Sequence, residues 1–84
     1  MSAALLDKAA AVLEERGQAY GAADAAFAAI AARWMLTLGR PVSAAQVVLC
    51  MIDLKLVRLA HDPGHEDSLI DVIGYAALFP EVRR

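Results

Sequence analysis

The sequence predicts an all-α protein: a compact four-helix subunit that assembles into a helical oligomer. Three observations carry that prediction. No stretch shows the alternation of apolar and polar residues, rich in β-branched types, that marks a strand, whereas apolar residues recur at helical spacing throughout. Glycine and proline clusters cut the chain into four such stretches, and 84 residues leave room for one core, so residues 1–84 form a single domain. The hydrophobic fraction is 60%, above the roughly 45–50% usual for globular chains, while a chain this short buries only about 60–65% of its unfolded surface. Apolar surface is therefore left over for another copy.

The first helix is expected over residues 3–16, with Leu5, Leu6, Ala9, Val12 and Leu13 on one side and Gly17 as its stop. Gln18 to Gly21 is a tight connection. The second, over 22–38, carries Phe27, Ile30, Ala31, Trp34 and Leu38 as a core stripe, with Trp34 read as core ahead of a stacking platform. Gly39, Arg40 and Pro41 end it. Ser43 and Gln46 then form a capping box, flanked by Val42 and Val47 as a hydrophobic staple, and open a third helix over 43–60. Its apolar run from Val47 to Ile52 implies burial on every side, either in the bundle or between subunits, and a central position. The fourth helix, over 65–79, starts at Pro63 after an Asp62 cap or nearer Glu66, and ends before Pro80.

The net charge of −2, with basic residues scattered, argues against general nucleic-acid binding, which needs a basic field. No charged n-region precedes a long apolar segment, and no apolar run suffices to span a bilayer. A cytoplasmic protein without membrane contact is expected. Cys50, the one cysteine, lies in an apolar run and reads as a small core residue.

The candidate site lies between Leu54 and Tyr75, where Lys55, Arg58, Asp67 and Asp71 interrupt otherwise apolar helices. Charges are costly in such surroundings unless paired, solvated or meeting a ligand. Lys55 and Arg58 share one helical side, as do Asp67 and Asp71, whose face continues through Gly74 and Tyr75. A first-turn carboxylate is stabilised by the helix dipole, which accounts for Asp67 better than for Asp71. Asp71 lies deeper, and pairing with Arg58 or Lys55 stands beside contact with a ligand. Lys55 and Arg58 are suited to phosphate, or are ordinary solvated stems. Gly74 inside a helix marks a close approach, by a packed helix ahead of a ligand. His61, Asp62, His65, Glu66 and Asp67 are metal-ligand types, but Pro63 and Gly64 break the spacing that would aim both histidines at one ion, so no metal site is expected.

Arg16-Gly17 with Tyr20-Gly21, then Phe27, Ala31 and Trp34, Lys55 and Arg58, and Asp67-Ser68, Asp71 and Gly74-Tyr75-Ala76 resemble a family of short helical proteins encoded by phages and prophages. The likeness covers most of the chain. More distantly the chain resembles the MazG-type all-α nucleoside triphosphate pyrophosphatases, in which four carboxylates on two antiparallel helices hold Mg²⁺ against a polyphosphate. Those enzymes carry E-x-x-E and then E-x-x-D, whereas here the equivalent helix offers Asp53, Lys55 and Arg58, and Asp67 and Asp71 stand four apart. Magnesium requires oxygen ligands, which Lys and Arg do not supply.

These resemblances imply a nucleotide-binding protein of an infected or lysogenic bacterial host, with phosphates on Lys55 and Arg58, Tyr20 or Tyr75 near the base, Arg16 and Asp67 alongside, and Asp71 orienting Arg58 or bonding the ligand. Sequestration of a signalling nucleotide needs no cofactor; residual diphosphohydrolase activity on a nucleoside triphosphate would need Mg²⁺. The other expectation is a protein-interaction module that blocks a host defence protein.

Overall fold

The computed structural model describes residues 2–83 and consists of four helices: α1 (Ser2–Tyr20), α2 (Ala23–Leu38), α3 (Ala44–His61) and α4 (Glu66–Val82). No strand occurs among the described residues. The second and third helices start and stop within a residue of expectation. Ser43 accepts a hydrogen bond from the Gln46 N–H at 3.1 Å while its own N–H donates to Gln46 Oε1 at 2.9 Å, completing the expected capping box. Gly39 ends α2 in the left-handed conformation, at φ 68°.

Two boundaries differ. The first helix passes through Gly17 for another turn and stops instead at Gly21, whose φ of 79° suits glycine and whose N–H donates to the Gly17 carbonyl. Helix propensity cannot choose between two glycines four residues apart; the second alone takes the terminating conformation. The fourth helix runs through Pro80 to Val82. Proline removes one backbone donor here, but Val82 is 5% exposed and joins the core, so apolar burial offsets the lost hydrogen bond.

The junction before α4 resolves in favour of the later start. Asp62 closes α3 and accepts the Gly64 N–H on its side chain, leaving His65 as the N-cap, its Nδ1 taking the Ser68 N–H at 3.3 Å. Ser68 is buried, with its hydroxyl 2.7 Å from the same nitrogen.

The central helix is α4, not α3: α4 packs on all three others, while α1 and α3 are not packed closely on one another. The core joins Phe27 and Ala31 of α2 to Val47 and Val48 of α3 and Val82 of α4, with Trp34, Met51, Ile52, Tyr75, Leu78 and Phe79 packed around them. Phe27 meets Tyr75 edge-on, ring centres 6.1 Å apart. Trp34 is thus part of the core, as expected. Helix α3, by contrast, is not covered on every side: Leu49, Leu54, Leu56 and Val57 are exposed, and so is Cys50, which is therefore not a core residue of the subunit. Val47 and Val48 take the inward positions, and at 100° per residue their two successors are carried outward.

Candidate functional site

Asp71 of α4 is the meeting point of three helices. Its Oδ1 lies 3.2 Å from Arg16 Nη1 of α1, and its Oδ2 lies 3.1 Å from Lys55 Nζ of α3. Helices α1 and α3 are not packed closely on one another, and this carboxylate binds a cation from each. The carboxylate is 12% exposed and the Lys55 side chain 22%, whereas Arg16 is half exposed. Asp71 is thus desolvated but matched on both oxygens, which is what keeps a charge tolerable at that depth. Neither oxygen meets Arg58.

Two members of this ion-pair cluster, Arg16 and Asp71, line a cleft of about 420 Å³. Helices α1 and α2 touch least of the packed pairs, and between them α4 forms a floor of Ile70, Asp71, Gly74, Tyr75 and Leu78. Val12, Leu13, Arg16, Gly17 and Tyr20 form one wall; Ala26, Phe27 and Ile30 form the other, with Met51 reaching in from α3. The volume lies within the roughly 300–1,000 Å³ range of small-molecule sites, and an apolar interior with a few convergent polar groups is their usual character. Gly74 faces this cleft; a Cβ placed on it would lie 3.7 Å from Leu13, an ordinary contact with the packed helix α1.

Of the residues singled out from the sequence, Arg16, Tyr20, Asp71 and Tyr75 line the cleft and Lys55 joins it through Asp71. Arg58 and Asp67 do not line it. The Arg58 guanidinium lies 3.5 Å from His65 Nε2, and Asp67 is exposed in the first turn of α4, where the dipole suffices to place it. The pairing of Arg16 with Asp71 spans 55 residues of sequence and left no local signal; only the R-G-x-x-Y-G pattern pointed to that helix end. Leu13 and Met51 were also not singled out as site residues, because an apolar residue on an amphipathic helix reads as core whether it meets another helix or a cleft.

The donor set bears on magnesium. Several oxygens are needed around that ion, yet among the described residues no three His, Cys, Asp or Glu side chains converge, and both Asp71 oxygens face cations. Among the described residues, no helix is long and apolar enough to cross a membrane.

Comparison with curated proteins and with solved structures finds no match. Residues 4–83, nearly the whole chain, match the family described as Domain of unknown function (DUF6378), and the protein belongs to that family.

Proposed function

We propose that the cleft binds a phosphorylated nucleotide and holds it without hydrolysis, with the phosphate at Arg16 and Lys55 and the base against Tyr20, Tyr75 and Phe27. The observation that supports this reading is a guanidinium and an ammonium, drawn from two helices that are not packed closely on one another, held beside one carboxylate at the edge of an apolar, aromatic-lined cleft. Arg supplies a planar fork and Lys a point charge, and both recur at phosphates. Arg58 is left out of the proposed site because its guanidinium lies against His65, away from the cleft lining. Both Asp71 oxygens already face cations, which supports sequestration over MazG-like pyrophosphate cleavage. The proposed cargo is a signalling nucleotide of a bacterial host.

The test is equilibrium dialysis against nucleoside triphosphates and cyclic nucleotides, with and without Mg²⁺, followed by denaturation and recovery of the ligand. A nucleotide recovered intact supports the reading, and no binding by any member of the panel overturns it. Arg16→Ala and Lys55→Ala should each abolish binding and the ligand-dependent rise in melting temperature, and Lys55→Ala should also lower the melting temperature of the free protein, since Asp71 then keeps only the half-exposed Arg16.

A second reading, association through protein surfaces, is favoured by Leu36, Leu38, Leu49, Leu54, Leu56 and Val57, which are all exposed. On this reading the outer faces of α2 and α3 pair two copies of the chain. Phe27 is buried within the subunit and lies outside this face. If light scattering shows a monomer, the same face is left for a host protein, and a stoichiometric partner recovered without bound nucleotide would displace the nucleotide reading.

A further inference from the structure

Asp53 stands in the middle of the apolar surface that α3 leaves uncovered. Leu49, Cys50, Leu56 and Val57 are all exposed, and they lie three and four residues to either side of it. At 100° per residue those spacings set them about 40–60° to each side of Asp53 around the helix, so the carboxylate is centred both along the patch and across it. Asp53 is itself exposed, and among the described residues it makes no ion pair. On α3, Lys55 is committed to Asp71, Arg58 lies 3.5 Å from His65 Nε2, and His61 is about two turns away. Of the helices packed on α3, neither Asp24 and Arg33 of α2 nor Glu66, Asp67, Asp71 and Glu81 of α4 pairs with it. A hydrated carboxylate costs nothing in the subunit, but covering this patch strips water from a charge that has no counter-ion.

The subunit has surface to cover: its accessible area exceeds that expected of a folded 8.9 kDa monomer by about 1,000 Å², against the roughly 800 Å² that each partner buries in a standard interface. We infer that a second copy of the chain covers this patch, α3 against α3, and that Asp53 makes the association depend on protons. The inference rests on the reading of α3 as a contact between copies and adds its regulation. A two-fold axis that brings the two patches together sets residue 53 opposite residue 53, whether α3 runs parallel or antiparallel to its copy. Two carboxylates brought together in a desolvated contact do not both stay ionised; a proton held between them relieves the repulsion. Pairing therefore takes up a proton. Association strengthens as pH falls below neutrality and weakens as it rises, by at most about tenfold per pH unit for one proton.

Sedimentation velocity of the full chain at about pH 7.5 and 5.5 tests this, with a chelator present so that no divalent cation bridges the carboxylates. Asp53→Asn removes the charge from the patch, and Glu14→Gln removes the same charge from the exposed surface of α1 as a control. The association constant of the wild type is expected to rise on the order of tenfold or more at the lower pH. Asp53→Asn should already associate about tenfold more tightly than wild type at the higher pH and change less than about threefold between the two, while Glu14→Gln follows wild type. A wild-type dimer equally tight at both pH values overturns the inference and leaves the pairing of copies intact. So does an Asp53→Asn variant that keeps the wild-type pH dependence, or a Glu14→Gln variant that tightens as much as Asp53→Asn. Monomers throughout, Asp53→Asn included, overturn both the inference and the pairing.

Discussion

Asp71 holds the largest concentration of electrostatic consequence in the molecule. Removing its charge leaves Arg16 and Lys55 facing a partly desolvated space without a counter-ion, whereas removing Arg16 leaves Asp71 still matched by Lys55 and takes away only a half-exposed partner. Asp71→Ala is accordingly expected to cost about 1–3 kcal/mol of stability and Arg16→Ala less than about 1 kcal/mol, measured by urea unfolding. Equal losses in the two variants would show that the tie is not organised around the carboxylate. The surface pair of Lys8 with Glu66, both about half exposed, belongs to the class of contacts worth little. His65 shows a different residue-scale device: an imidazole nitrogen serves as the acceptor that Ser, Thr, Asp or Asn more often supplies at a helix start.

At the scale of elements, helix ends are where local chemistry and packing compete. The α3 start is local: Ser43→Ala removes a side-chain acceptor from the Gln46 N–H and should cost about 1 kcal/mol by thermal or urea unfolding. The end of α4 is decided elsewhere, because Val82 is drawn into the core beyond a proline that local rules would treat as a stop. Gly74 separates stability from binding. A methyl group there meets Leu13 at an ordinary distance, so Gly74→Ala should gain up to about 1 kcal/mol of helix stability, or roughly 4–8 °C in a domain of this size. Since Gly74 also faces the cleft, the same change should weaken nucleotide binding. A variant that melts higher and binds unchanged would place the ligand away from α4.

The whole molecule is larger in surface than its mass predicts. Its accessible area is 5,853 Å², about 1,000 Å² above the roughly 4,800 Å² expected for a folded monomer of 8.9 kDa. The radius of gyration is 13.5 Å, against about 12 Å for a compact chain of this length. The excess is comparable to the roughly 800 Å² that each partner contributes to a standard interface. Leu49, Leu56 and Val57, spaced to share one face of α3, are each about half exposed or more and give the excess an apolar location. Light scattering is expected to report a dimer or higher assembly at tens of micromolar, and Val57→Glu, at a position 71% exposed in the subunit, should shift it toward monomer without loss of helical content. A monomer of about 9 kDa in the unsubstituted protein would leave the α3 face without a second copy.

What the sequence determined by itself was set by short-range physics. Helical periodicity, the Ser43–Gln46 box and the Gly39 stop depend on residues within a turn or two of one another, so four helices and most of their boundaries were legible along the chain. The same periodicity marked Phe27 and Ala31 as inward-facing, and the apolar surroundings of Asp71 marked it as a charge in need of a partner. Tertiary structure alone decided which partner: Arg16 is remote in sequence and Lys55 nearer, yet both reach Asp71 because α4 lies between α1 and α3, and no local pattern encodes which helix becomes the centre. It also decided that Cys50 and Leu49 face outward and that α1 continues past Gly17. Apolar character fixes that a residue prefers to leave water; whether it does so inside the subunit, in a cleft or against another chain depends on where the remaining helices settle.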